Sequence, residues 1–574
     1  MTGPTVLDLP EITADMARDL ALSQQVCIRP LLRRVHDRQA GTEQHVALPC
    51  GATREAVCPP CAVKARRLRM QQCAEGWHRT DEPEHAVPDG QADDEHDEDQ
   101  DDTDQADDED GGRRVRSTRR RQDAPDLPRV TPEDRTLGRV FRSPEGREYR
   151  PSMFLTLTLP SYGAVRDGVP VDTGSYDYRR AALDALHFAR LVDRFWQNLR
   201  RSAGYRVQYF AAVEPQHRLA PHLHAAVRGA IPRATLRQVV KATYLQLWWP
   251  PHDRPVYVHR TPTWDGRDYI DADTGEVLPT WDHALDRLAT DPDARPAHVM
   301  RFGAQTDIAG IIAPSPDADR AVRYLTKYLT KSISDPATDP DGEPDPRMAA
   351  HVDRLHAELR WLPCSERCAN WLRYGIQPDG AGPGLQAGRC PGKAHDRDHL
   401  GIGGRRVLVS RDWSGKTLAG HRVDRATVVR EALLAAGIVA PETERLAAAV
   451  TLPDGSPRFV WTDTRPDPIT YARVLLASIA EQQRWRAQYE AAKTVVPAAV
   501  DDPPATGPPG RPESSASPTS SQVLVSGLGV KGERSESAGH EVPLTARAET
   551  TSSDVGEAEY PTTNSTGDGH GWCA

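Results

Sequence analysis

Between residues 139 and 334 the apolar positions alternate with two different periods, which sets out an order of strands and helices. FLTLTLP, Phe154 to Pro160, places apolar residues at every second position and ends on proline, the pattern of a half-buried strand. DYRRAALDALHFARLVDRFWQNLRRSAG repeats its apolar residues at helical spacing and stops at Gly204, so a helix is predicted there. YRVQYFAAVEP and PHLHAAVRG follow as two strands joined by a turn around Gln216 to Ala220. The reading continues with a helix over ATLRQVVKATYLQLWW, a strand at PVYVHR, a hairpin at DADTGEV and a short helix at WDHALDRL. HVMRFGAQTDI is predicted as a strand, and DADRAVRYLTKYLTKSIS as a helix capped by Asp317 or Asp319. Strands and helices mixed with antiparallel hairpins imply an α+β domain over residues 139–334.

The rest of the chain reads differently. A Cys-containing region occupies residues 1–80, and residues 81–138 hold an acidic run followed by the basic arm RRVRSTRRRQ, with Arg119, Arg120 and Arg121 as phosphate contacts. Residues 335–359 are a Pro/Asp-rich linker, 360–424 a second Cys/His region, 425–494 helical, and 495–574 a Ser/Pro/Thr-rich tail. The acidic run and the tail cannot bury a core and are expected to be disordered.

Charge sharpens this division. The 574 residues carry a net −10, yet residues 81–110 hold 17 acidic residues and no Lys or Arg, and the tail is acidic too. The remainder is strongly basic, which suits a polyanion such as DNA. Only 8 of the 72 basic residues are lysines, and two of those lie in Y-L-T-K-Y-L-T-K, Tyr324 to Lys331. No stretch has the length of a membrane span and the N-terminus lacks a secretory pattern, so a cytoplasmic protein is expected.

Four groups of residues carry candidate chemistry. On a strand, His222 and His224 face the same side, and Glu214 on the preceding strand lies across the hairpin, with Gln216 as a further contact. Two imidazoles and a carboxylate suit Mg²⁺ or Mn²⁺ acting on a phosphodiester. On a helix, Tyr324 and Tyr328 project side by side, with Lys327 and Lys331 supplying positive charge for phenol attack on phosphorus. Cys50-x7-Cys58-x2-Cys61-x11-Cys73, beside the basic positions Arg66, Arg67 and Arg69, fits structural zinc, with Cys27 and His78 in reserve. Cys364, Cys368, Cys390, His395 and His399 offer five candidates for a second zinc. S-R-D-W-S-G-K-T, Ser410 to Thr417, lacks the first glycine of a phosphate-binding loop, so no nucleotide site is expected and unwinding falls to a host helicase.

FLTLTLP, PHLHAAV and YLTKYLTK, in this order, resemble the three motifs of the HUH endonucleases, specifically the replication initiators of actinomycete rolling-circle plasmids. The resemblance spans about Met153 to Lys331 and extends toward both Cys regions. It implies a five-stranded antiparallel sheet, flanked by helices, with the H-x-H strand central and the tyrosine helix beside it. It also implies nicking of one origin strand through a 5′-phosphotyrosine, and a free 3′-OH extended by a host polymerase. The tandem tyrosines resemble those of two-tyrosine initiators; single-tyrosine relatives carry an acidic residue at the first position, which favours Tyr328 as initiating nucleophile and leaves Tyr324 to terminate or merely to assist. The alternatives are a two-tyrosine transposase and a zinc-containing DNA-binding regulator without catalysis.

Overall fold

The computed structural model describes residues 13–77, 79, 81–82, 124–142, 144, 146, 148–313, 315–327, 329–330, 345–435 and 451–495. The acidic run beyond Glu82, the basic arm with Arg119, Arg120 and Arg121, the tail, His78, Tyr328 and Lys331 lie outside the described residues.

In chain order the elements begin with α1 (Ala14–Ser23), β1 (Leu31–Asp37), β2 (Thr42–Leu48) and α2 (Pro59–Trp77). Next come β3 (Phe141–Arg142), β4 (Glu148–Leu157), β5 (Val165–Arg166), β6 (Val169–Pro170), α3 (Tyr178–Ala203), β7 (Tyr209–Pro215) and β8 (Pro221–Arg228). They continue with α4 (Arg233–Ala242), β9 (Tyr244–Leu247), β10 (Thr263–Trp264), β11 (Tyr269–Ile270), α5 (Trp281–Thr290), β12 (His298–Arg301), β13 (Thr306–Ala313) and α6 (Pro316–Thr326). The last are α7 (Pro346–Leu359), β14 (Val407–Val409), α8 (Leu418–Ala435), β15 (Phe459–Asp463) and α9 (Pro468–Val495).

The main sheet runs β13-β4-β8-β7-β14, antiparallel throughout, with β3 pairing beside β4. The H-x-H strand β8 is its middle strand and is buried along its whole length. Alternation divides the sheet residues between two cores. Leu155, Leu157, Ala211, Val213, Leu223, Ala225 and Val227 face α3, α4 and α7 in the larger core. Phe210, Ala212 and Ala226 face the other way, against Cys73 and Trp77 of α2 and Val322 and Leu325 of α6. The helix bearing the C-x2-C hook and the helix bearing Tyr324 therefore lie on one face of the sheet.

Buried polar groups hold this second layer in place. The Trp77 indole donates to Ser152 Oγ at 2.6 Å, and Arg228, only 4% exposed, donates to the carbonyl of Gly76 at 2.6 Å and to that of Trp413. Trp413 sits so close to Gly76 that a Cβ there would stand 2.1 Å from its ring, which is why residue 76 must be glycine. The stretch Ser410 to Thr417 is thus a wedge built around a fully buried tryptophan.

Several local expectations change. α4 ends at Ala242 and the chain turns into strand β9, since Tyr244–Leu247 pairs with β12 and tertiary pairing overrides the helical pattern. The single strand expected over 298–308 is two, β12 and β13, in different sheets. PVYVHR is not a strand. α6 is capped by Ser315, whose hydroxyl accepts from the Ala318 amide, with Pro316 in the first turn; Asp317 and Asp319 lie inside that turn instead of capping it. Pro346–Leu359, assigned to a linker, is a helix whose Val352, Leu355 and Leu359 enter the larger core. The N-terminal and C-terminal regions are not separate either: β1 pairs with both β2 and β15, and α1 packs Ala17 and Ala21 on Leu475 and Ile479 of α9.

Candidate active site

Glu214, His222 and His224 bring one donor atom each within 4.8 Å of one another. The hairpin explains how: Glu214 pairs with His222 in register, and His224 lies opposite Ala212 on one side and Thr156 on the other. His222 Nε2 and His224 Nε2 stand 2.7 Å apart, and the second nitrogen of His224 meets Thr156 Oγ1 at 3.0 Å. That second contact fixes the ring, as outer-shell partners of metal-binding histidines do. Burial pushes the imidazoles down to about 4 for His222 and about 3 for His224, so both are neutral at pH 7. Burial pushes the Glu214 carboxyl up to about 7, offset in part by the charges of Arg406 and Lys327. Glu214 Oε1 is buried without a hydrogen-bond partner. Two neutral imidazoles and a partnerless carboxylate oxygen converging on one point form a donor set that fits a divalent cation. Gln216 is not part of it, because its amide oxygen accepts from Arg218.

α6 brings Tyr324 to this point. Its hydroxyl lies 3.3 Å from His224 Nε2, and its ring meets the His224 and Phe154 rings edge-on. Tyr324 is 44% exposed, so solvent or a bound strand can reach the phenol. Lys327 follows at the end of the helix and is exposed. Sequence reasoning missed Thr156 and Arg406. Thr156 was visible in the alternation of FLTLTLP, whereas Arg406 arrives from more than 190 residues away, just before edge strand β14, and donates to Val213 O at 3.3 Å.

The two cysteine clusters assemble as zinc-type sites. Cys27, Cys50, Cys58 and Cys61 converge, with Cys27 and Cys58 sulfurs 3.8 Å apart. Cys364, Cys368, Cys390 and His395 do the same, with Cys364 and Cys390 sulfurs 3.9 Å apart and His395 Nε2 3.5 Å from Cys368 Sγ. Thiolates bound at about 2.3 Å around tetrahedral zinc stand about 3.8 Å from one another, so both donor sets fit zinc. One assignment changes and one open choice is narrowed. Cys73 is a fully buried core thiol beside Trp77 and Trp413, because α2 carries it three turns away from Cys61, and Cys27 supplies the fourth sulfur. His395 belongs to the second cluster and His399 does not: His395 Nδ1 is held by the Leu359 carbonyl at 2.8 Å, which aims Nε2 at the sulfurs, whereas His399 turns toward Asp396. Arg66, Arg67 and Arg69 all lie on α2, with Arg67 exposed.

A fourth group, Glu75, His421 and Asp424, also brings its donor atoms together. Here the charged groups stand against one another. His421 is fully buried between Glu75 Oε2 at 3.2 Å and Ser414 Oγ at 2.8 Å, and Lys416 pairs with Asp424.

The family model described as "RepSA: Replication initiator protein, pSAM2" matches residues 13–480, a span that includes both cysteine clusters, the main sheet and α6. The chain belongs to this replication initiator family. No curated protein and no solved structure matches it. The initiator acts in plasmid replication, which requires engagement of origin DNA. Among its described residues no helix is long and apolar enough to cross a membrane.

Proposed function

We propose that the initiator starts and ends rolling-circle replication by nicking and rejoining one origin strand as an HUH-type endonuclease. The observation that carries this reading is the Tyr324 hydroxyl 3.3 Å from His224 Nε2, at the edge of the buried Glu214, His222 and His224 group. Mg²⁺ or Mn²⁺ held by those three residues would polarise the scissile phosphate. The phenol releases its proton to solvent, its oxygen bonds to phosphorus, and the P–O3′ bond breaks with O3′ taking up a proton from solvent, leaving a 5′-phosphotyrosine and a 3′-OH for a host polymerase. A phenol with an ordinary value of about 10 needs this electrostatic help, and Lys327 adds positive charge beside the carboxylate. Tyr324 is the tyrosine whose position supports attack, and Tyr328, four residues on, is the second nucleophile that resolves the intermediate. Zinc in the two cysteine clusters is structural, since saturated tetrahedral sites leave no open position. The arginines of α2 and those at 119–121 grip the DNA backbone, and a host helicase opens the duplex.

The test is covalent adduct formation with single-stranded origin DNA and Mn²⁺. Tyr324→Phe is expected to lose the initial adduct, and Tyr328→Phe to form it but fail to release and rejoin. Full initial nicking by Tyr324→Phe would reverse the two roles, and adduct formation in the doubly substituted Tyr324→Phe/Tyr328→Phe protein would sink the tyrosine mechanism.

A further inference from the structure

The loop Gly51 to Val57 joins Cys50 to Cys58 in the first cluster and has no part in the chemistry above, yet it touches two distant regions. The Glu55 amide donates to the Thr330 carbonyl at 2.8 Å, and the Thr330 hydroxyl donates to Glu55 Oε1 at 2.6 Å. One residue earlier, Arg54 donates to Asp398 Oδ2 at 2.7 Å, three residues past the zinc-type ligand His395. The loop is shaped by its own turn, with the Val57 and Cys58 amides both donating to the Arg54 carbonyl. It then enters α2, whose Met70, Cys73 and Ala74 pack with Val322, Leu325 and Leu329 of the tyrosine segment.

Thr330 is 1% exposed and stands two residues beyond Tyr328 in the sequence. A buried hydroxyl needs a partner, and a carboxylate is a strong one. On the other side of Tyr328, Thr326 is equally buried and its hydroxyl is bonded back to Val322 O at 2.9 Å. Thr326 is thus held within α6, and Thr330 by a two-point clamp from the first cysteine module.

We propose that Glu55 is a positioning residue for strand transfer: through Thr330 it holds the chain that leaves α6, the helix that carries Tyr324, so the first cysteine module governs the rate of strand transfer as well as holding DNA. This rests on the tyrosine reading given above. Misplacing a nucleophile by a fraction of an ångström to an ångström slows attack while leaving binding intact.

The test compares single-turnover adduct formation and release, single-stranded DNA affinity and zinc content per chain in full-length protein. Thr330→Val and Glu55→Ala are each expected to slow strand transfer roughly tenfold, with DNA affinity and zinc content unchanged. The doubly substituted protein should be no slower than either alone, because both remove one interaction. Thr330→Ser and Glu55→Gln keep the donor and the acceptor and should restore the rate. Should Glu55→Ala not fold, Glu55→Asp, with an arm one carbon shorter, should show the same slowing. Wild-type rates in Thr330→Val, or slowing that follows loss of DNA affinity or of zinc, would overturn the proposal. A wild-type protein that forms no tyrosine adduct would overturn the nicking reading and this one with it, whereas a wild-type adduct with an unaffected Thr330→Val rate removes only this one.

Discussion

Glu214, His222 and His224 form one group and Glu75, His421 and Asp424 another, from nearly the same residue types, and both gather their donor atoms within 4.8 Å. Their electrostatic situations are opposite. In the first, Glu214 Oε1 has no partner and burial drives the carboxyl up to about 7. In the second, the neighbouring His421 holds the Glu75 carboxyl below its usual range, Ser414 meets the other imidazole nitrogen, and Lys416 sits on Asp424. Ligand types converge in both groups, but among the described residues only the first holds a buried carboxylate oxygen without a hydrogen-bond partner, the demand a cation would meet.

The comparison breaks most visibly in cation affinity. His222→Ala or His224→Ala should weaken Mn²⁺ binding, measured by calorimetry or paramagnetic resonance, by roughly a thousandfold, about 4 kcal/mol. His421→Ala should leave that affinity within about twofold and instead cost about 1–3 kcal/mol of stability, because it strands Ser414 and Glu75. A second Mn²⁺ equivalent lost in His421→Ala would erase the distinction.

A smaller difference lies in stability without metal. A carboxyl raised from its ordinary 4.5 to about 7 in the fold favours the protonated native state, so ionising it destabilises the protein as pH rises through that interval. At pH 8, Glu214→Gln should therefore raise apo stability by up to about 3 kcal/mol. Glu75 behaves oppositely, since its lowered value contributes stability above the unfolded carboxyl value and loses it as pH falls. Its side chain is 37% exposed, so Glu75→Gln should cost only about 1 kcal/mol after solvent screening. Equal signs for the two substitutions in chemical denaturation would contradict the assignment of demand to one site and satisfaction to the other.

How much of this was legible in the sequence follows from which relations are local. His222, His224 and Glu214 sit on one hairpin, so strand alternation and a short turn suffice to bring them together. The central place of β8 came from the resemblance of three ordered motifs and not from periodicity. Cys27 was held only in reserve because nothing in its spacing ties it to Cys50, while Cys73 looked equivalent to the others although α2 carries it into a core. Arg406, the β1–β15 pairing and the Glu55–Thr330 clamp join residues roughly 190 to 430 positions apart, and no periodicity reports such contacts. The preference for Tyr328 as initiator came from relatives; Tyr328 lies outside the described residues, and the tyrosine whose ring meets His224 among them is Tyr324.

The smallest expected effect is also the most selective. If Glu214 must ionise to bind a cation, a proton competes for it below about 7, whereas His222 and His224, pushed down to about 4 and 3, are already neutral from pH 5 to 8. Mn²⁺ affinity should then rise roughly fivefold, about 1 kcal/mol, between pH 6 and pH 7 and flatten above pH 8. The slope should approach one proton and vanish in Glu214→Gln. A slope near two that survives Glu214→Gln would assign the protons to the imidazoles and show that water reaches a site whose character depends on excluding it.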